Sequence, residues 1–572
     1  MIKIKWQLKE TDANLPLMTD VLGISEITAN VMANRNLRTK KTAKSFLSPS
    51  MDNMHNVAEM KGIAKLLQRI SIAIEKNQHI TVFGDYDADG ITSTAILTRV
   101  LQSFNTNVSY YIPHRQEEGY GLNINAIKKL AAKGTQLIIA VDNGISAIEE
   151  VDFANTQGID VLIVDHHEPG EDLPNAFAIV DPKQEDCPYP FKDLCAGGLA
   201  YKVAEAICNH QNVEFILKKE LLVLATIATL CDLVDLKDEN RIIVNSGLAV
   251  LNANKLINPG LGSLIALRGH LEKPIDTFTI GFVIGPCLNA SGRLENAEVS
   301  VELLLATDFN IRSKLAQKHI ELNEIRKTLT AECAERVLNK LNMDNLDKIL
   351  VITDKEAHES VAGIVAGRIK EATNRPTILL TQGENAMKGS GRSVYPYNIY
   401  EALYANKDLF VRFGGHMMAA GLTIEEENIP LLKEALNNSC NLTEEDLQPI
   451  LQIDRKLNLE EVTLELADEL IQLAPFGKAN DEPLFLSTNV LAEQIRILDD
   501  KNTLIFTFST QTGILRGIAF GLNEKYASLV FRAGRDENKT GKLPMDIVYT
   551  IEPNNFNGRT TVQVRIKDFK II

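Results

Sequence analysis

At 572 residues the chain is too long for one hydrophobic core and implies roughly three or four domains of about 100–200 residues each. Hydrophobic residues at 45% and charged residues at 24% exclude extensive disorder, and a net charge of −15 excludes a chain that is basic overall, so any nucleic-acid binding has to be local. A surplus of carboxylates does suit a site that collects divalent cations. Seven cysteines with no Cys-x-x-Cys pair argue against a disulfide framework or a zinc ribbon. The opening MIKIKWQLKE has no signal-peptide core, and the densest apolar run, Leu221 to Leu230, falls short of the about 20 residues that cross a bilayer. The expected compartment is the reducing cytoplasm, with no membrane partner.

Residues 58–75 have the spacing of an amphipathic helix, and HITVFG (79–84) is an apolar strand ending in a run of acids. Helix-spaced ITSTAILTRVLQSF follows, then strand VSYYIP (108–113) and helix NINAIKKLAAKG (123–134), closed by glycine. Strands QLIIAV (136–141), DVLIV (160–164) and AFAIV (176–180) continue the alternation, with a helix over 146–156. Such a pattern predicts an α/β fold with a parallel, doubly wound sheet, in which ligands collect beyond the carboxyl ends of the strands. From 311 to 341, Leu315, Leu322, Ile325, Leu329, Cys333, Val337 and Leu341 predict one long connecting helix. A second α/β unit follows: strand KILVIT (348–353), helix 359–372, strand PTILLT (376–381) and two glycine-rich turns, GSGRS (389–393) and GGHMMAAG (414–421). Beyond about 450, short alternating strands such as TLIFTFS (503–509) and TTVQVRIKDF (560–569), with an Asn557-Gly558 turn signal, predict a small β-barrel, for which an oligonucleotide-binding fold is one candidate. The expected domains are an N-terminal helical extension of the first α/β domain (1–75), that domain (76–305), the connecting helix (306–345), the second α/β domain (346–445) and the barrel (446–572).

GDYDADG sets Asp85, Asp87 and Asp89 at alternate positions between a strand and a helix. Three carboxylates so close repel one another unless cations neutralise them, although acids at a helix N-terminus also serve as solvated caps. Asp142 ends a later strand and Asp165-His166-His167 the next, so each apolar strand hands polar groups to one rim. Carboxylate and imidazole without thiolate suit Mn²⁺ and Mg²⁺. The donors exceed what one ion needs, and two ions about 3.5–4 Å apart can share a carboxylate and clamp a phosphoryl group. Asp232 closes the apolar stretch LLVLATIATLC and is either a further inward-facing acid or a helix C-terminal turn residue. Arg115 near GYG (119–121), Arg293 in NASGR, Arg392 in GSGRS and His416 in GGHMMAAG are candidate phosphate binders, because glycine lets backbone approach an oxyanion and arginine forks onto it. The barrel carries Arg516, Lys525, Arg532, Arg535, Arg559, Arg565, Lys567 and Lys570, a local basic surplus that could track a nucleic-acid backbone or remain a solvated face.

The ordered set DYDADG, GYG, DNG, DHH and Asp232, followed by a domain carrying GGHMMAAG, resembles the DHH phosphoesterase superfamily with its companion DHHA1 domain. Within it the whole chain, including GPCLNASGR (285–293) and the terminal β-domain, is similar to the branch of single-strand-specific 5′-to-3′ DNA exonucleases. The resemblance implies that Asp87, Asp89, Asp142, His166 and Asp232 bind two divalent ions, Mn²⁺ or Mg²⁺, with Asp142 bridging. It implies that His167 faces the scissile phosphate and that Asp85 joins the catalytic set without a defined place among the ligands. Arg115, Ser390 and Arg392 match positions used for phosphate recognition, the terminal 5′-phosphate included, and Asn289 and Arg293 lie close to the nucleic-acid path. Two departures stand out: Cys287 replaces the family's usual arginine after Gly-Pro, and Val-Asp-Leu follows Asp232 and Leu233 where a proline is common.

The resemblance further implies release of 5′-mononucleotides from single-stranded DNA in repair and recombination, by a monomer that works with a helicase and a single-stranded-DNA-binding protein. Two alternatives share the residues. One is a DHH-type small-substrate phosphoesterase, such as a pyrophosphatase, nanoRNase or cyclic-dinucleotide hydrolase, which the terminal barrel disfavours. The other is a non-catalytic DNA-binding replication scaffold, which the intact acids and histidines disfavour.

Overall fold

The computed structural model of the chain describes residues 4–10, 19, 22–498, 502–511, 513–522, 525–527, 542–556 and 558–572. It divides into two units: residues 51–447 form the larger, and residues 1–50 join 448–572 in the smaller.

The larger unit opens with a five-stranded sheet. Strand β1 (Ile80–Phe83) is apolar and buried throughout, and β2 (Val108–Tyr111), β3 (Leu137–Val141), β4 (Asp160–Val164) and β5 (Ala178–Val180) complete the order β2-β1-β3-β4-β5. Every pairing is parallel. Crossover helices α1 (Ala88–Gln102), α2 (Ile124–Ala132) and α3 (Ile148–Thr156) connect the strands. The order reverses between β1 and β3, so the loops that follow these two strands diverge and leave a crevice between them. The acids of GDYDADG leave β1 and Asp142 leaves β3, which places both at the switch point. Helices α4 (Ala196–His210) and α5 (Lys218–Cys231) are buried along most of their length and pack on α1 and on each other.

After a π-helical turn at Thr279–Ile284 come α6 (Gly285–Leu294) and the 32-residue α7 (Phe309–Lys340), capped by Asp308. Leu315, Leu322, Cys333 and Val337 form its buried stripe, as the spacing predicts, whereas Ile325 is exposed. The second sheet comprises β6 (Leu350–Thr353), β7 (Thr377–Gln382), β8 (Met387–Arg392), β9 (Phe410–His416) and β10 (Ala419–Ile424) in the order β9-β10-β8-β7-β6. Only β6 and β7 run parallel, so this layer is mixed. Helix α8 (Ala362–Thr373) packs on it after a 3₁₀ turn over Glu359–Val361, which is why the regular helix begins three residues later than its periodicity suggests.

The smaller unit is a closed barrel of β11 (Phe485–Leu498), β12 (Thr503–Thr510), β13 (Gly513–Phe520), β14 (Leu543–Phe556) and β15 (Arg559–Ile571). Pairing of β11 with β14 closes it. The expectation that residues 1–75 extend the first α/β domain is corrected here. Residues from Met51 onward, Met60 and the helix Ile63–Glu75 among them, pack in that core, while the first fifty residues belong to the barrel unit. Strand Lys5–Leu8 runs parallel to Ile450–Ile453, and helix Glu26–Ala33 buries Ala29, Val31 and Met32 in the core that holds Leu466 and Leu470. Glu469 accepts from the Ser25 amide (2.9 Å), the Ser25 hydroxyl (2.6 Å) and the Thr28 hydroxyl (2.8 Å), tying the helix start to that unit. The partner lies more than 400 positions away, and local periodicity carries no information about it.

Candidate active site

The β1–α1 loop is shaped for its acids. Asp87 is the N-cap of α1, accepting from the amides of Asp89 (2.9 Å) and Gly90 (3.1 Å) with one oxygen. Gly90 lets the helix start fold back on Asp85, since a Cβ there would lie 2.6 Å from the Asp85 backbone oxygen. The cap reading of this loop and the metal reading therefore hold together, because Asp87 is exposed and keeps a second oxygen. Asp89 points into the protein, where its two oxygens accept from the Ala196 and Gly197 amides at the N-terminus of α4 (2.9 and 2.7 Å). Asp142 follows β3 at φ +64°, a left-handed conformation unusual for a residue with a Cβ, which turns its carboxylate toward the β4 end. Its oxygen lies 3.1 Å from Nε2 of His166, which is also 3.7 Å from Asp89, while Nδ1 of His166 is 3.8 Å from Asp232. Asp232 is indeed the C-cap of α5, and from there it reaches the same cluster.

Three overlapping sets of donors result: Asp85, Asp87 and Asp142; Asp142, His166 and His167; and Asp89, His166 and Asp232, with the donor atoms of each set within 4.8 Å of one another. Burial, reinforced by Asp87, holds the Asp85 carboxyl well above the usual carboxylate range. Burial followed by the charge of Asp232 does the same to Asp89, and burial followed by Asp89 to Asp142. Oδ1 of Asp85 is buried with no hydrogen-bond partner. Mutually repelling buried acids and an orphaned oxygen fit cation binding, because a divalent ion relieves both penalties. Burial and then His167 bring His166 down to about 3, so its imidazole is neutral and free to ligate. For His167, burial is the largest single influence and opposes the charge, but the 2.7 Å hydrogen bond to Asp165 and the charges of Asp165, Asp232 and Asp89 together outweigh it and raise the pKa to about 9.

Around this cluster, Asn289 on α6 accepts from the Ala88 amide (2.8 Å) and so holds the start of α1. Arg115 lies 4.9 Å over the ring of Tyr86. Arg293 donates to the carbonyl of Ser360 (3.0 Å), joining α6 to the second sheet's layer. Arg392 reaches Ser390 Oγ (3.4 Å), and a Cβ on Gly363 of α8 would stand 2.8 Å from both side chains. His416 is exposed, and through Ala419 it is in register with Arg392 two strands away, on the same face of the second sheet and about 9–10 Å off at the usual strand spacing.

Two neighbours of the site escaped the motif reading. Tyr120 of GYG donates to the Asp142 carbonyl (2.8 Å) and its ring meets His167 edge-on. Asp181 follows β5 just as the other acids follow their strands, and is buried with an unpartnered oxygen. Burial, and then Asp165, pushes it up to about 7. The signal for Asp181 was available, since AFAIV ends in an acid like its neighbours.

In the barrel unit three of the six described residues of the basic surplus meet acids: Lys525 pairs with Asp568, and Arg565 and Lys567 (3.3 Å) share Glu482, while Lys570 covers the Trp6 ring at 4.0 Å. Arg532, Arg535 and Asn557 lie outside the described residues.

Residues 79–229 match the family model of the DHH family, N-terminal domain; residues 346–441 match the DHHA1 domain and residues 453–568 the RecJ OB domain. The chain is 35% identical to the single-stranded-DNA-specific exonuclease RecJ of Bacillus subtilis, over 99% of this chain and 71% of that protein. It is 31% identical to the Escherichia coli protein of the same name, over 99% and 98%. A crystal structure of RecJ in complex with Mn²⁺ from Thermus thermophilus superposes with a TM-score of 0.84 at 27% identity, over 99% of this chain and 79% of that one. The catalytic crevice, the companion domain and the barrel, in that order, make this chain a member of the RecJ family of DHH proteins.

Proposed function

We propose that the protein is a single-stranded-DNA-specific 5′-to-3′ exonuclease that hydrolyses phosphodiester bonds with divalent metal and releases 5′-mononucleotides. The observation that carries this reading is the convergence of Asp85, Asp87, Asp89, Asp142, His166 and Asp232, drawn from three loops and a helix end, at one switch-point crevice. Asp87, Asp89, Asp142, His166 and Asp232 would hold two divalent ions. When bound, Mn²⁺ or Mg²⁺ supplies a nucleophilic hydroxide near neutral pH and withdraws charge from the phosphoryl oxygens.

The chain's own groups do the rest. Asp165 fixes the His167 imidazole, which is oriented to hydrogen-bond a phosphoryl oxygen and to hand a proton to the departing 3′-oxygen. Tyr120 packs against His167 and holds the Asp142 backbone, limiting the freedom of both. Arg115, Ser390 and Arg392 take a terminal phosphate, which would set the polarity from the 5′ end, while Asn289 braces the loop, Arg293 ties α6 to Ser360, and both line the strand's path. Its setting is the cytoplasm, in repair and recombination, where a helicase opens the strand, a single-stranded-DNA-binding protein protects it and the enzyme acts as a monomer. Among the described residues no helix is long and apolar enough to cross a membrane.

Digestion of 5′- and 3′-labelled oligonucleotides with and without Mn²⁺ or Mg²⁺ tests this. Metal-dependent loss of mononucleotides from the 5′ end of single strands is expected, with blunt duplex resistant. Hydrolysis confined to dinucleotides would instead favour a small-substrate phosphoesterase, and tight DNA binding without hydrolysis in either metal a non-catalytic scaffold.

A further inference from the structure

Five arginines lead away from the acidic cluster through the larger unit. Arg115 covers Tyr86, and Gly292 of α6 sits directly on that residue, since a Cβ there would be 2.1 Å from the Tyr86 carbonyl oxygen. The next residue, Arg293, reaches Ser360 at the entrance to α8, and Arg392 meets Gly363 of the same helix. Arg326 projects from α7, which packs against both α6 and α8, and Arg368 lies exposed on α8. Neighbouring cations elsewhere in this unit have found acids: Lys327 pairs with Glu324, Arg336 with Asp354 and Lys388 with Glu359. None of the five arginines has a carboxylate partner among the described residues. They also feel one another. Burial and then the charges of Arg115, Arg326 and Arg392 bring Arg293 down to about 10, and burial followed by Arg368 lowers Arg326. In a chain with 75 acidic residues, cations that repel each other and stay unpaired mark a place where an external anion supplies the counter-charge.

Arg326 is held in a defined place. Its Nε donates to Asn323 Oδ1 (3.0 Å), and Asn323 Nδ2 donates to the buried sulfur of Cys287 (3.4 Å). The terminal nitrogens of Arg326 are left for a ligand. On the exonuclease reading above, we propose that Arg326 and Arg368 bind successive backbone phosphates of the strand beyond the nucleotide being removed, and that Asn323, tethered to Cys287, positions Arg326. The long helix is then one wall of the substrate path as well as a connector.

The test is binding of a 5′-phosphorylated, phosphorothioate-protected 12-mer and of the matching dinucleotide to the full chain in Mn²⁺, across a KCl series. Arg326→Ala and Arg368→Ala should each weaken 12-mer binding about tenfold and make the slope of log K against log salt shallower by about 0.7 per lost phosphate contact. The loss should grow with strand length, and in turnover assays fall on KM. Arg326→Lys, which keeps the charge, should retain the parental slope while losing part of the affinity, and Asn323→Ala should fall between parent and Arg326→Ala. Parental affinity and slope in the Arg326→Ala, Arg368→Ala double variant would overturn the inference, as would equal losses on dinucleotide and 12-mer. If the parent chain neither binds nor shortens single strands in Mn²⁺, the exonuclease reading and this extension of it fall together.

Discussion

Oδ1 of Asp142 lies 3.1 Å from Nε2 of His166, with both side chains buried and 24 positions between them in the chain. A left-handed turn at Asp142 and the parallel pairing of β3 with β4 bring the two together, so this contact belongs to the sheet and not to either loop alone.

Asp142→Asn should abolish metal-dependent nuclease activity while the protein remains folded, because the substitution removes a ligand and one of several repelling buried carboxylates. Thermal denaturation separates the two effects. The parent should gain about 2.7 kcal/mol at Mn²⁺ a hundredfold above its dissociation constant, and the variant should gain far less. An equal gain in both would show that Asp142 does not hold the ion.

Asn289→Ala removes the acceptor for the Ala88 amide at the first turn of α1. A lost cap of this kind costs about 1 kcal/mol of stability, measurable as a shift in urea midpoint. Since the same turn carries Asp87 and Asp89, the turnover number should fall as well. A variant destabilised by that amount with parental turnover would separate the cap from the site.

Lys202 and Glu239 form a fully buried ion pair at 2.6 Å, with Tyr189 donating to the second carboxylate oxygen and the Lys202 ammonium also donating to the His55 carbonyl. Lys202→Met leaves a charge buried without its partner and should cost about 3–5 kcal/mol. The Lys202→Met, Glu239→Leu double variant should recover part of that in a double-mutant cycle read by denaturant unfolding. A double variant as unstable as the sum of the singles would argue against coupling.

Asp354 should give the acid limb of stability a visible component. Burial, the largest single influence, favours its neutral form, but the hydrogen bonds from Arg336 and Cys333 together with the charges of Arg336 and Lys340 outweigh it and leave the pKa below the ordinary carboxylate value. A group depressed in the folded state contributes stability above its unfolded pKa, near 3.9, and loses that contribution as pH falls through the lower folded value. The stability difference between parent and Asp354→Asn should therefore be flat from neutral pH down to about 4 and shrink below it. A difference that shrinks already between pH 7 and 5 would contradict the direction.

What the sequence determined by itself was everything whose cause is local. Alternating apolar strands and amphipathic helices set the parallel sheet, and because each strand's polar exit follows its apolar run directly, Asp85, Asp142 and Asp165-His166-His167 could be placed on one rim from order alone. The 3.6-residue stripe of α7 and the turn-punctuated strands of the barrel were legible for the same reason.

Only the tertiary structure decided what depends on partners far apart in the chain. Asp232 proved to be both a helix cap and a neighbour of His166, a pair the spacing could not distinguish. The first fifty residues chose the barrel over the nearby sheet because their buried face meets Leu466, Leu470 and Glu469. Of the lysines and arginines of the barrel, which read as a basic surplus, Lys525, Arg565 and Lys567 are matched by Glu482 and Asp568 once folded. Arg326, unremarkable on a charged helix, stands unpaired beside other arginines. Periodicity reports which face of an element is apolar; it is silent on which distant charge or surface will meet that face, and long-range packing and electrostatics settle that.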